Sequence, residues 1–148
     1  MSDHAVEGVD HVHVTVRHRD EAASWYNRVL GLISPPEYSA RASDPRGAKM
    51  LTTPDGTRCI ALYAGEPSPG ERPTISFRIS AKGFASFLDR LGELDLDDRR
   101  GGPLRPENLV DHGGAWSLYF RDPDGNPIEL TTYEDPGRFA RPSGEDHD

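Results

Sequence analysis

Apolar and polar positions alternate with a period of two along residues 9–16 and again along residues 73–79. Each stretch reads as a strand with one apolar face, because successive side chains of a strand point to opposite sides. Val12, Val14 and Val16 form that face in the first, and Ile75, Phe77 and Ile79 form it in the second. Behind each strand the period lengthens to that of a helix. Ala22, Trp25, Tyr26, Val29 and Leu30 share one helical stripe, and Phe84, Phe87, Leu88 and Leu91 share another. Both stripes run into Leu-Gly, at Leu30-Gly31 and Leu91-Gly92, and glycine is the usual helix stop. Asp20 is the expected N-cap of the first helix.

The ends of the two stretches repeat as well. Pro54-Asp55-Gly56 precedes Ile60-Ala61-Leu62, and Pro123-Asp124-Gly125 precedes Ile128-Glu129-Leu130. Proline presets φ and glycine accepts a positive φ, so each triplet predicts a hairpin turn. Residues 48–53 and 116–121 supply the strand before each turn, and residues 32–39 and 99–106 are the weakest strand candidates. The same order in both halves predicts an α+β fold. Two βαβββ modules, 8–64 and 74–133, would form a curved mixed sheet around one cleft. Residues 65–73, rich in Pro and Gly, read as a linker, and residues 134–148 as a flexible acidic tail.

Bulk properties narrow the class. A chain of 148 residues suits one compact domain or two small fused modules. Its net charge of −8 argues against nucleic acid as a partner, which needs a basic face, and against anionic membranes. No apolar run approaches the roughly 20 residues of a membrane span. The acidic, polar start lacks the marks of a secretory signal. Cys59 is the sole cysteine and has no internal disulfide partner, so a cytoplasmic location is expected.

Alternation also says what faces away from the helices. In the first strand that set is His11, His13 and Thr15; in the second it is Thr74, Ser76 and Arg78. The later strands add Ala61, Tyr63, Ser117, Tyr119, Glu129 and Thr131. So polar a surface predicts a solvent-filled binding cleft.

The run from Asp10 to Val16, followed by Trp25-Tyr26 and Leu30-Gly31-Leu32, resembles the opening of vicinal oxygen chelate proteins. The run Asp111-His112-Gly113-Gly114, followed by residues 117–130, resembles their closing signature. The superfamily includes glyoxalase I, extradiol dioxygenases, fosfomycin-resistance enzymes and bleomycin-binding proteins, and the resemblance covers roughly residues 8–133. It implies four metal-ligand slots, which fall here on His11, Ala61, Thr74 and Glu129. Ala61 cannot ligate and Thr74 is a poor neutral ligand, a departure from the family pattern. His13 can substitute, since it shares the face of His11 two residues on; His11, His13 and Glu129 would then make a two-histidine, one-carboxylate set for Fe, Mn or Zn. The competing uses are a hydrogen bond or salt bridge between His11 and Glu129, and His13 as a polar residue lining the cleft.

Three functions follow as expectations. The first is a divalent-metal-dependent enzyme, dioxygenase- or lyase-type, acting on a small oxygen-rich substrate through vicinal oxygens. Glu129, His112 and Tyr119 would be its catalytic residues. Tyr63, Thr74, Ser76, Arg78 and Trp116 would bind substrate, Arg78 through an anionic group or else by pairing with Glu129. His112, in a Gly-flanked loop, would sit on a lid. The second is a metal-free protein sequestering an antibiotic or other bulky natural product. The third is a metal-free isomerase or cyclase with Glu129 or His11 as base. A small-molecule substrate or ligand is the expected partner in each, and a homodimer fits the family.

Overall fold

The first alternating stretch forms β1 (Val12–Val16), and the first helical stripe forms α1 (Arg19–Leu30). These elements belong to a computed structural model of the protein that describes residues 3–138. The chain divides into two units, 1–68 and 69–148. In the first unit α1 leads to a 3-10 turn (Pro36–Tyr38), a short helix α2 (Ser39–Ala42), β2 (Lys49–Thr52) and β3 (Arg58–Ala64). The strand order is β1-β3-β2, with β1 parallel and β2 antiparallel to β3. Val14, Val16, Leu51, Ile60 and Leu62 are buried with Ala22, Tyr26 and Val29 of α1, which packs against β2 and β3.

The second unit contains β4 (Ile75–Arg78), α3 (Ala81–Asp89), α4 (Leu91–Leu94), β5 (Val110–Asp111), β6 (Trp116–Arg121) and β7 (Pro127–Thr132). A 3-10 turn (Pro106–Asn108) precedes β5. The strand order is β4-β7-β6-β5, with β4 parallel and β6 antiparallel to β7. Phe87 of α3 stacks on Phe120 of β6 with ring centroids 5.7 Å apart. That contact fixes which face of the sheet is apolar; Leu118, Phe120, Ile128 and Leu130 are all buried. The fold is therefore mixed α+β, with sheets of three and four strands.

Several local expectations are corrected. Residues 32–39 form no strand: one bridge joins Ile33 to Thr52, and the chain then turns. Pro35 and Pro36 follow that bridge and have no N–H to extend a ladder. Residues 99–106 contribute only the bridge Asp97–Pro103; β5 forms later. The Asp98 carboxylate accepts from the amides of Arg100 and Gly102 and folds this segment into a turn instead.

The helix ends differ too. His18, not Asp20, occupies the N-cap of α1; Asp20 lies in the first turn, where its charge suits the helix dipole. Gly31 ends α1 in the left-handed conformation at φ 71°, as its sequence position suggests. Gly92 ends nothing. α3 closes at Arg90 and α4 continues the apolar stripe through buried Leu91 and Leu94 to Asp95, whose φ is 54°. Of the segment read as a tail, residues 136–138 form a 3-10 turn in contact with α3, with Pro136 buried. Residues 139–148 lie outside the described residues. No helix among the described residues is long and apolar enough to cross a membrane.

Candidate functional site

In the first unit, β1 and β3 pair with His13 opposite Ala61 and Thr15 opposite Tyr63, so these side chains share the face away from α1. His11 precedes β1 on the same side. Its ring stacks on His13 at a centroid distance of 5.2 Å, and the His13 ring tilts against Tyr63 at 4.8 Å. The Nε2 atoms of His11 and His13 are 3.3 Å apart.

Asp10 prepares this pair. Its carboxylate lies 2.7 Å from His11 Nδ1 and makes a fork with the Arg58 guanidinium at 2.7–3.1 Å. The Arg58 hydrogen bonds, and then that of His11, hold the Asp10 carboxyl well below the usual carboxylate range. An ionised carboxylate only accepts, so His11 Nδ1 carries the proton and donates. In neutral His11 the lone pair is therefore on Nε2, facing His13. Carboxylates orient metal-binding histidines in the same way. Two imidazole nitrogens on one tetrahedral ion at about 2.0–2.1 Å must be roughly 3.3–3.4 Å apart. The observed separation fits two imidazoles on one divalent ion, and without an ion it lets His13 Nε2–H donate to the His11 Nε2 lone pair. Within either unit, among the described residues, no group of three or more His, Cys, Asp or Glu side chains is assembled that could hold a metal ion. Ala61 is fully buried and brings no donor.

In the second unit the functional face is built around Glu129. The register sets Ser76 and Tyr119 on either side of it, and Arg78 and Ser117 on either side of Thr131. Ser117 donates to Glu129 Oε2 at 2.6 Å, and the Tyr119 hydroxyl donates to the same oxygen at 3.1 Å. His112 Nε2 lies 3.0 Å from the Tyr119 oxygen. Because the phenol proton points at Glu129, His112 Nε2–H is the donor in that contact. His112, Tyr119 and Glu129 thus form one hydrogen-bonded chain, which joins the three expected catalytic residues. Burial pushes the Glu129 carboxyl up, but hydrogen bonds from Ser117, Tyr119 and Ser76, with His112 nearby, outweigh it and leave the pKa lowered. Burial, then the bond to Glu129, pushes the Tyr119 phenol up, so it stays protonated at neutral pH.

The remaining candidates separate. Arg78 is exposed and makes no ion pair with Glu129 among the described residues. Thr74 lies exposed just before β4. Trp116 falls on the opposite face from Glu129, with Leu118 and Phe120, because an unbroken register keeps the period of two. His112 sits in a tight hairpin turn rather than a lid: its amide bonds Ala115 O, and Asp111 Oδ1 accepts from Gly113 N. Cys59 is half-buried and burial raises its thiol pKa, so the thiol stays largely protonated at neutral pH. Sequence reasoning missed Asp10 and Ser117 as positioning residues; adjacency to His11 and the period of β6 were the available signals.

A family model described as the glyoxalase/bleomycin resistance protein/dioxygenase superfamily matches residues 8–130. Biphenyl-2,3-diol 1,2-dioxygenase 3 of Rhodococcus globerulus is 35% identical over 111 residues, covering 72% of this chain. The chain spans about half the length of that relative, 53%. Among solved structures, fosfomycin resistance protein FosX from Mesorhizobium loti superposes with a TM-score of 0.62 at 23% identity, over 92% of this chain and all of that one, 100%. FosX from Listeria monocytogenes, complexed with Mn(II) and a sulfate ion, gives 0.60 at 20% identity, over 88% and 93% of the two chains. These two likenesses show the fold, and the sequence match shows the ancestry. The chain belongs to the glyoxalase/bleomycin resistance protein/dioxygenase superfamily.

Proposed function

We propose that this protein is a divalent-metal-dependent enzyme, of dioxygenase or lyase type, acting on a small oxygen-rich substrate. The observation that carries the reading is the His11–His13 pair, with Nε2 atoms 3.3 Å apart and Asp10 fixing the tautomer of His11. His11 and His13 are the imidazole donors, with Fe, Mn or Zn as candidate ions. A bound ion would polarise substrate oxygens and stabilise negative charge on them. The dioxygenase relative and the Mn(II) in a FosX structure support this class of chemistry.

The second unit carries a proton-transfer group of its own. Glu129 is ionised at neutral pH and is the base. Ser117 and Tyr119 hold its Oε2 in place. When Glu129 takes a proton, Tyr119 can turn its hydroxyl away and donate to substrate, with His112 behind it as the next donor in the chain. Tyr63 offers an aromatic wall beside His13.

One observation favours a second reading. Ala61 supplies no ligand, and Glu129 is already engaged by hydrogen bonds, so a metal-free isomerase or binding protein could use the same carboxylate. Metal analysis of untagged protein separates the two. The enzyme reading expects close to one equivalent of Fe, Mn or Zn per chain, and loss of turnover with EDTA. Metal-free protein with chelator-insensitive binding of its ligand would replace it by the second.

A further inference from the structure

The second unit contains a cavity of about 550 Å³ lined by Arg72, Thr74, Arg99, Arg121, Gly125 and Pro127, with residues 69–71 at its edge. Three guanidinium groups meet one acid, Glu71, in that lining. Among the described residues none of the three arginines has a carboxylate within ion-pair distance. Other groups hold them in place. Arg72 Nη1 donates to Asp124 O at 2.9 Å and to Asn126 Oδ1 at 3.0 Å. Arg121 Nη1 donates to Gly125 O at 2.9 Å. The Arg99 guanidinium lies 4.2 Å from the centre of the Tyr119 ring. A guanidinium has five N–H donors, and each of the two anchors uses a single nitrogen, so most donors of Arg72 and Arg121 remain for a ligand.

The hairpin turn is shaped to admit Arg72. A Cβ on Gly125 would meet Arg72 Nη2 at 2.6 Å, and Gly125 has a φ of +85°. The turn glycine therefore serves both the backbone and the seating of this side chain. The cavity also continues the functional face. Arg121 is two residues from Tyr119 on β6, and Pro127 is two residues from Glu129 on β7. Two residues of strand span roughly 7 Å.

We propose that this cavity binds an oxyanion, and that the substrate carries such a group (carboxylate, phosphate, phosphonate or sulfate) about 7 Å along the sheet from the atom that faces Glu129. Arg72, Arg99 and Arg121 supply charge-assisted donors, which suit planar or tetrahedral oxyanions. Thr74, a blank where its family slot would hold a metal ligand, then adds a neutral hydroxyl to the same seat. The anion site stands on the cavity alone; only its link to turnover rests on the reading of Glu129.

Equilibrium dialysis of full-length protein against inorganic phosphate, and separately against benzoate, tests this. Ionic strength is held constant with chloride, and EDTA is present so that no bound ion contributes. The expected result is one saturable site per chain for at least one of the two probes. Arg99→Gln, an exposed change that removes no backbone anchor, should weaken it about tenfold or more, and Arg99→Gln with Arg121→Gln should abolish it. Circular dichroism checks that both variants fold. Saturable binding of phosphate over benzoate assigns a tetrahedral group, and the reverse a carboxylate; either supports the site. Linear, non-saturable uptake of both probes, or equal affinity in wild type and the single variant, would overturn it. Metal content measured on parallel samples without EDTA tells that failure apart from failure of the metal reading.

Discussion

The two units share a plan but fill it in opposite ways. In each, a first strand pairs in parallel with a last strand, and the pairing sets His13 opposite Ala61 in one and Ser76 opposite Glu129 in the other. The first unit keeps its donors on the opening strand and leaves the closing strand blank. The second unit does the reverse. Its opening strand supplies hydroxyls, and the ionisable group stands on the closing strand. The supports differ in kind as well. His11 is fixed by a hydrogen bond to Asp10, itself ion-paired with Arg58 on the surface, whereas Glu129 is fixed by neutral hydroxyls on a half-buried face. A carboxylate acceptor sets the tautomer of a neutral imidazole; hydroxyls keep a carboxylate ionised and aimed. One plan therefore carries two chemically distinct side-chain clusters, each specified by the side chains that sit beside it.

The largest expected difference between the units is in the core. Phe120→Ala removes a fully buried ring stacked on Phe87 and should cost about 3–5 kcal/mol in urea unfolding. If probes in the first unit report no change in the same experiment, the units unfold separately; a common shift makes them one cooperative system.

The two Pro-Asp-Gly turns give the next contrast. Asp122 is buried, and its carboxylate accepts from the amides of Asp124 and Asn126 and from Asn126 Nδ2. Asp122→Ala should cost about 1–3 kcal/mol by leaving those donors unmet. The carboxylate of the first turn, Asp55, accepts from Thr53 and Thr57 in full exposure, so Asp55→Ala should leave the unfolding curve in place. Equal effects would mean that burial does not distinguish the turns.

Acid sensitivity should also be unequal. The folded pKa of Glu129 lies below its ordinary value of 4.5, so its contribution to stability is full above 4.5 and is lost as pH falls through the folded value. The stability difference between wild type and Glu129→Gln should shrink over that acid range. A difference that stays constant with pH would remove the ionised carboxylate from the account.

The smallest effect concerns the two Leu-Gly pairs. Gly31→Ala forces a Cβ into a left-handed residue and should destabilise by about 1 kcal/mol. Gly92 lies inside α4 with open space around it, so Gly92→Ala should stabilise by roughly 0.5–1 kcal/mol. Thermal melts of both variants check the sign.

Much of this was legible in the sequence, because alternation is a local property that tertiary contacts reinforce. The faces carrying His11 and His13, and Ser76, Ser117, Tyr119 and Glu129, follow from a period of two. The same period puts Trp116 with Leu118 on the other face, against the substrate-binding role expected for it. What could not be read came from segments without a period. Arg72 and Arg99 lie in irregular chain, and their meeting with Arg121 is set by the turns around Asp98 and Asp122. Gly92 does not stop the second apolar stripe, because buried Leu94 continues it past the glycine. The Tyr119 bridge between His112 and Glu129 needed three side-chain rotamers, which no sequence pattern encodes.

The central claim is that the paired imidazoles of the first unit hold a divalent ion. Its most direct test is elemental analysis of untagged wild-type protein beside a variant carrying both His11→Ala and His13→Ala. Close to one equivalent in the former and almost none in the latter, with Tyr119→Phe retaining its full complement, is the predicted pattern. The same metal content in all three proteins would contradict it.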